Sequence, residues 1–172
     1  MGSAPAEADF EAFYAASSRR LLGHVYAMTG DLAEAEDALQ EAYARAWQRW
    51  GRVAAYEDPE GWVRTVAYRI TISAWRRTTS RLLAHRRGAR PEEVPGASPD
   101  RLALIAALRA IPADQRRVIV LHHLVGLSVA EIRAETGVPE GTVKSRLARG
   151  RRALAEHLSE YADESQEAVT NV

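Results

Sequence analysis

Thr142, Lys144, Ser145, Arg146 and Arg149 stand close together on a stretch that also carries Val143 and Leu147 at helical spacing. These are donors suited to nucleic acid. Arginine pairs bidentately with guanine, threonine and serine take either a base edge or a phosphate, and lysine supplies a point charge to the backbone. A second constellation is cationic. From Gly61 to Pro91 there is no Asp or Glu, while Arg64, Arg69, Arg76, Arg77, Arg81, Arg86, Arg87 and Arg90 all fall there. A third is polar and mostly acidic: Asp37, Gln40, Glu41 and Arg45 lie three to four residues apart and share one helix face. Covalent and metal chemistry find little support. Cysteine is absent, and there is no phosphate-binding loop of the GxxxxGK[ST] kind. Adjacent His122 and His123 would point about 100° apart on a helix, with no carboxylate cluster to complete a metal site. The expectation is a non-enzyme with no metal and no cofactor.

Formal net charge is zero over 172 residues, which at first argues against a DNA binder. Its distribution argues the other way. Lys144, Arg146, Arg149, Arg151 and Arg152 form a second basic block. Acid gathers in Asp31, Glu34, Glu36, Asp37 and Glu41, and again in Glu156, Glu160, Asp163, Glu164 and Glu167. One such block reads first as a solvated helix face. Two of each sign suggest two kinds of contact, with phosphate and with protein. No apolar run reaches the roughly 18 residues of a membrane span, and Met1 to Phe10 lacks the order of a signal peptide. A soluble, cytoplasmic protein is expected.

The elements that must position these groups are helices. Ala, Leu, Glu and Arg dominate, and no stretch alternates apolar and polar over strand length. A first helix is expected from Asp9 to Met28, with Phe10, Phe13, Tyr14, Leu21 and Val25 inward. A second, from Asp31, carries Ala35, Ala38, Leu39, Ala42, Tyr43, Ala46 and Trp47 at spacings of three and four. After a loop from Arg52 to Pro59, a third runs from Glu60 to Arg77 with Trp62, Val63, Val66, Ile70 and Ala74 inward. Thr78 to Pro99 is rich in Gly and Pro and lacks periodicity, so its later part is expected to be a flexible linker. Helices from Asp100 to Ala110 and Asp114 to Val125 follow. The fold class expected is all-α: two small helical domains joined by a linker, at 8–78 and 100–158, with the linker at 79–99 and an acidic, frayed tail at 159–172.

The strongest local signal comes next. Ser128-Val129-Ala130-Glu131 is a capping box, opening a short helix to Thr136 that buries Val129, Ile132 and Ala130. Gly137 suits a left-handed turn, and Pro139 opens another helix, to Leu158, where its missing N–H costs nothing. Val143, Leu147, Leu154 and Leu158 face inward; the donors named above face out. A short helix, a glycine turn and a basic helix make a helix-turn-helix whose second member fits the major groove. Arg151 and Arg152 are weaker candidates, meeting phosphate or solvent.

Leu127-Ser128-Val129-Ala130-Glu131-Ile132, followed by Gly137-Val138-Pro139-Glu140-Gly141-Thr142-Val143-Lys144-Ser145-Arg146-Leu147-Ala148-Arg149, resembles region 4 of the extracytoplasmic-function sigma factors. Gly30-Asp31 with Ala35-Glu36-Asp37-Ala38-Leu39-Gln40-Glu41-Ala42-Tyr43 is similar to region 2.2 of that family. Pro59-Glu60-Gly61-Trp62-Val63, ending in Trp75-Arg76-Arg77, is similar to regions 2.3 and 2.4. The resemblance implies promoter-specific initiation with core RNA polymerase as partner. It implies −35 duplex contacts from Thr142, Lys144, Ser145, Arg146 and Arg149, and −10 contacts from Arg64, Arg69, Arg76 and Arg77. Asp37, Gln40 and Glu41 would dock on the polymerase clamp, and an anti-sigma factor is a possible further partner. Some positions depart from the pattern. Arg69 stands where Asn is common, Ser73 where Asp is frequent, Arg133 for a small residue and Thr136 for an apolar one. A free-standing helix-turn-helix regulator is the alternative, but it leaves the Glu36-to-Tyr43 block unexplained.

Overall fold

The computed structural model describes residues 3–79 and 99–170, all of whose regular structure is helical. Most of the expected linker, residues 80–98, lies outside the described residues, as do the side chains of Arg76 and Arg77. The chain divides into two compact units, residues 1–89 and 90–172.

The first unit contains α1 (Ser3–Thr29), α2 (Leu32–Gln48), a single turn α3 (Trp50–Val53) and α4 (Pro59–Thr79). Gly30 takes φ +78 and its N–H closes onto the Tyr26 carbonyl, ending α1. Asp31 then caps α2, accepting from the Glu34 N–H at 2.9 Å. Helix α2 is the centre of this unit and packs on both α1 and α4. Its inward stripe is mostly alanine, with Ala35, Ala38, Ala42 and Ala46 all buried, so the neighbouring helices approach closely. Leu21, Val25 and Met28 from α1 and Val63 and Ala67 from α4 complete the core.

Two residues of the apolar stripes are not in it. Tyr14 is 47% exposed and Trp47 is 42% exposed. Both line the open side of the groove between α1 and α2. They are held by ring contacts instead: Tyr14 lies 4.8 Å from Tyr43 and Trp47 lies 5.1 Å from Phe10, centroid to centroid. Tyr43 itself is buried and shares a 2.7 Å hydrogen bond with the Ser17 hydroxyl. Burial pushes its phenol up to about 12.

The second unit contains α5 (Pro99–Ala110), α6 (Ala113–His123), α7 (Val129–Thr136) and α8 (Glu140–Thr170). Ile105, Leu108, Ile111, Val118, Ile119, Val120, Leu121, Ile132, Val143 and Leu147 form its core. Helix α8 packs on all three others, and Gly150 is buried against α6: a Cβ there would meet Ile119 Cγ1 at 2.9 Å. Ala130 is exposed, not buried. On so short a helix Ile132 alone reaches the core, with Val129 half-buried at its edge. The acidic tail also differs from expectation. Helix α8 continues to Thr170, since nothing after Gly150 breaks it and Glu, Ala and Gln are good helix formers.

Candidate nucleic-acid interface

The capping box is present in both directions. The Ser128 hydroxyl accepts from the Glu131 N–H at 3.3 Å, and the Glu131 carboxylate accepts from the Ser128 N–H at 2.7 Å. Those bonds hold the Glu131 carboxyl below its ordinary value. Gly137 has φ +72 and closes α7 through its N–H to the Arg133 carbonyl at 2.8 Å. Thr136, the departure from an apolar residue, earns its position in this turn: its hydroxyl donates to the Ile132 carbonyl at 2.6 Å and accepts from the Val138 N–H at 3.2 Å. The Val143 N–H bonds back to the Pro139 carbonyl at 2.9 Å, starting α8.

With Val143, Leu147 and Gly150 buried, the register of α8 turns the other residues outward. Lys144, Ser145 and Arg149 are exposed, and Thr142 is half-buried. Ser145 donates to the Thr142 carbonyl at 3.0 Å and Arg149 Nε to the Ser145 carbonyl at 3.4 Å. Arg146 lies at the margin of the buried stripe, its side chain 25% exposed, with Nε 2.9 Å from Asp114 Oδ2. Farther along, Arg151 Nε donates to His123 Nε2 at 3.3 Å. Burial, with His122 and Arg151 nearby, holds the His123 imidazole below its ordinary value.

The expected −10 contacts divide. Arg69 is exposed on α4. Arg64 is 2% exposed, which corrects its assignment as a phosphate contact. Its Nη2 faces Asp58 Oδ2 at 3.5 Å, and it lies inside the unit because it falls three to four residues from buried Ala67 and Tyr68 on the inward face of α4. Asp58 is a residue the sequence reading missed. Its other oxygen accepts from the Gly61 N–H at 2.8 Å, capping α4. Gly61 makes room for this, since a Cβ would collide with the Asp58 carboxylate. An Asp directly before a proline at a helix start was a visible signal; the ion pair six residues on was not. On α2, Asp37, Gln40 and Glu41 are exposed along one face, and Glu41 pairs with Arg45 at 2.8 Å.

Two family models match the chain in order. Residues 13–81 match Sigma-70 region 2, and residues 101–154 match Sigma-70, region 4. The ECF RNA polymerase sigma factor SigL of Mycobacterium tuberculosis is 36% identical over 168 residues, covering 92% of this chain and 94% of that protein. The chain belongs to the extracytoplasmic-function sigma factors. A second relative, the ECF sigma factor SigC of Mycobacterium tuberculosis, is 32% identical over 150 residues, covering 84% of this chain and 80% of its own. The sigma factor RpoE of Bartonella quintana, solved with the anti-sigma factor NepR, shares the fold at a TM-score of 0.77 and 24% identity, over 88% of this chain and 97% of that one.

Family membership makes this sigma factor a non-catalytic initiation factor that binds RNA polymerase and directs it to promoters. The region 2 match takes in most of α1 and all of α2, α3 and α4, and the region 4 match takes in most of α5, all of α6 and α7 and the first half of α8. Among the described residues no helix is long and apolar enough to cross a membrane, and no cluster of three His, Cys, Asp or Glu side chains could hold a metal ion.

Proposed function

We propose that this sigma factor reads a −35 duplex through α8 and engages the −10 non-template strand through α4 and the loop before it. Region 2 spans 8–78 in this reading and region 4 spans 100–158, and both act in the cytoplasm. The observation that carries it is the outward set on the first turns of α8, Thr142, Lys144, Ser145 and Arg149, beyond a capped α7 and a left-handed glycine turn. A helix entering the major groove uses its N-terminal turns for base edges and flanking cations for phosphates. Arg146 joins that set. At −10, exposed Arg69, with Arg76 and Arg77, supplies cations to track a single strand. The exposed face of Asp37, Gln40 and Glu41 suits a basic polymerase surface. The fold shared with a sigma factor solved beside its anti-sigma partner supports a partner of that kind here.

Run-off transcription with core polymerase over a genomic promoter library tests the reading. Full-length protein should give discrete transcripts, and silence across the library would overturn it. Lys144→Ala and Arg149→Ala should each lower −35 occupancy. For a phosphate contact the loss is even across sequences, and the salt slope falls by about one. Asp37→Arg should weaken polymerase binding while the second unit still shifts −35 duplex; unchanged polymerase affinity removes the docking face.

A further inference from the structure

Asp114 stands 32 residues before Arg146, in the first turn of α6, and no motif of the sequence joins them. Asp114 is tied on both sides. Its Oδ1 accepts from the Gln115 N–H at 2.9 Å, and its Oδ2 meets Arg146 Nε at 2.9 Å. The carboxylate is therefore oriented by the backbone of α6 and in turn orients a side chain of α8. Its own side chain is 50% exposed, and an ion pair so open to water contributes little to stability. Geometry is the more telling consequence. A guanidinium carries five N–H groups in a planar fork. With Nε engaged by a carboxylate, the two terminal nitrogens keep the outer edge that pairs with guanine O6 and N7.

We propose that Asp114 is a positioning residue for base readout: it buttresses Arg146 so that the outer guanidinium edge faces the major groove for a guanine in the −35 element. The proposal rests on the assignment of α8 as the −35 reader. A free arginine at this point would sample many rotamers and turn to the nearest phosphate. A buttressed one loses less freedom on binding, and discriminates bases because its plane is set beforehand.

The test uses holoenzyme reconstituted with the full chain and a duplex library randomised through the −35 element. Wild-type protein should enrich guanine at one position, and Arg146→Ala should abolish that preference there and nowhere else. Asp114→Ala should reduce the same preference by roughly tenfold, within the range one bidentate pair supplies, and leave the other positions unchanged. Asp114→Glu, which keeps a carboxylate, should restore part of it. Asp114→Asn keeps the shape of the α6 turn and serves if the alanine variant folds poorly. If Arg146→Ala relaxes the position and neither Asp114→Ala nor Asp114→Asn does, the buttress is wrong while α8 remains the reader. A uniform rise in affinity for every sequence with Asp114→Ala would also overturn it, because the carboxylate would then be acting only as a repelling charge. No effect of Arg146→Ala at any position removes both readings together.

Discussion

Single side chains in this molecule are decided by their partners more than by their type. Arg64 and Arg69 belong to the same cationic run, yet one is sealed against Asp58 and the other is exposed. Composition cannot separate them, because burial depends on which α4 face meets α1 and α2. His24 shows the same dependence. Its Nδ1 is buried with no hydrogen-bond partner, Arg20 pairs with Glu60 at 2.5 Å beside it, and Arg64 adds a second cation. Burial first, then Arg64 and Arg20, hold the imidazole below its ordinary value of 6.5, with Glu60 opposing. The folded protein thus resists taking up this proton while the unfolded chain accepts it. Stability from His24 is present above pH 6.5 and falls as the pH drops from there toward the lower folded value. Thermal melts of the first unit between pH 7.5 and 5.5 should show the fall. His24→Gln should flatten it, and an unchanged slope would show that other groups carry the dependence.

At the level of elements, helix starts were legible because they are local. The Ser128–Glu131 box and the left-handed Gly137 follow from residue types within ten positions. Ser128→Ala should cost about 1 kcal/mol, read from urea unfolding, and the loss should fall in the second unit. Gly61→Ala is the sharper case in the first unit. The added methyl would displace the Asp58 carboxylate from its cap and loosen the partner of buried Arg64. Destabilisation of about 1–2 kcal/mol is expected, the order of a lost cap, whereas helix propensity alone would favour alanine by about 1 kcal/mol. A stabilised variant would therefore refute the strained contact. What periodicity could not show was where a seam ends. Tyr14 and Trp47 fall on the apolar stripe and remain exposed, because they line the open side of the α1–α2 groove.

For the whole molecule, the all-α class and two-unit plan were legible from helical composition and from the Gly- and Pro-rich stretch between the units. Zero net charge was the misleading quantity, since charge acts locally: the exposed cations of α8 and the exposed acids of α2 lie in different units. Promoter binding should weaken steeply with salt despite overall neutrality. Titrating holoenzyme on promoter DNA from 50 to 200 mM salt checks this, and a flat response would remove phosphate contact as a source of affinity. The pairings that cross between helices, Asp114 with Arg146 and His123 with Arg151, could not be read in advance. They depend on how α6 crosses α8, a crossing that brings Gly150 against Ile119 and is visible only in three dimensions.

Lys144 is the sole lysine of the sequence, and it is exposed on the helix assigned to promoter recognition. Apart from the α-amino group, the chain therefore offers one acylatable amine. Mild acetylation would label the protein at a single internal position, and peptide mass analysis would read its yield directly. Promoter duplex should shield that amine and duplex lacking the −35 element should not, which makes occupancy of the reading helix measurable without any introduced tag.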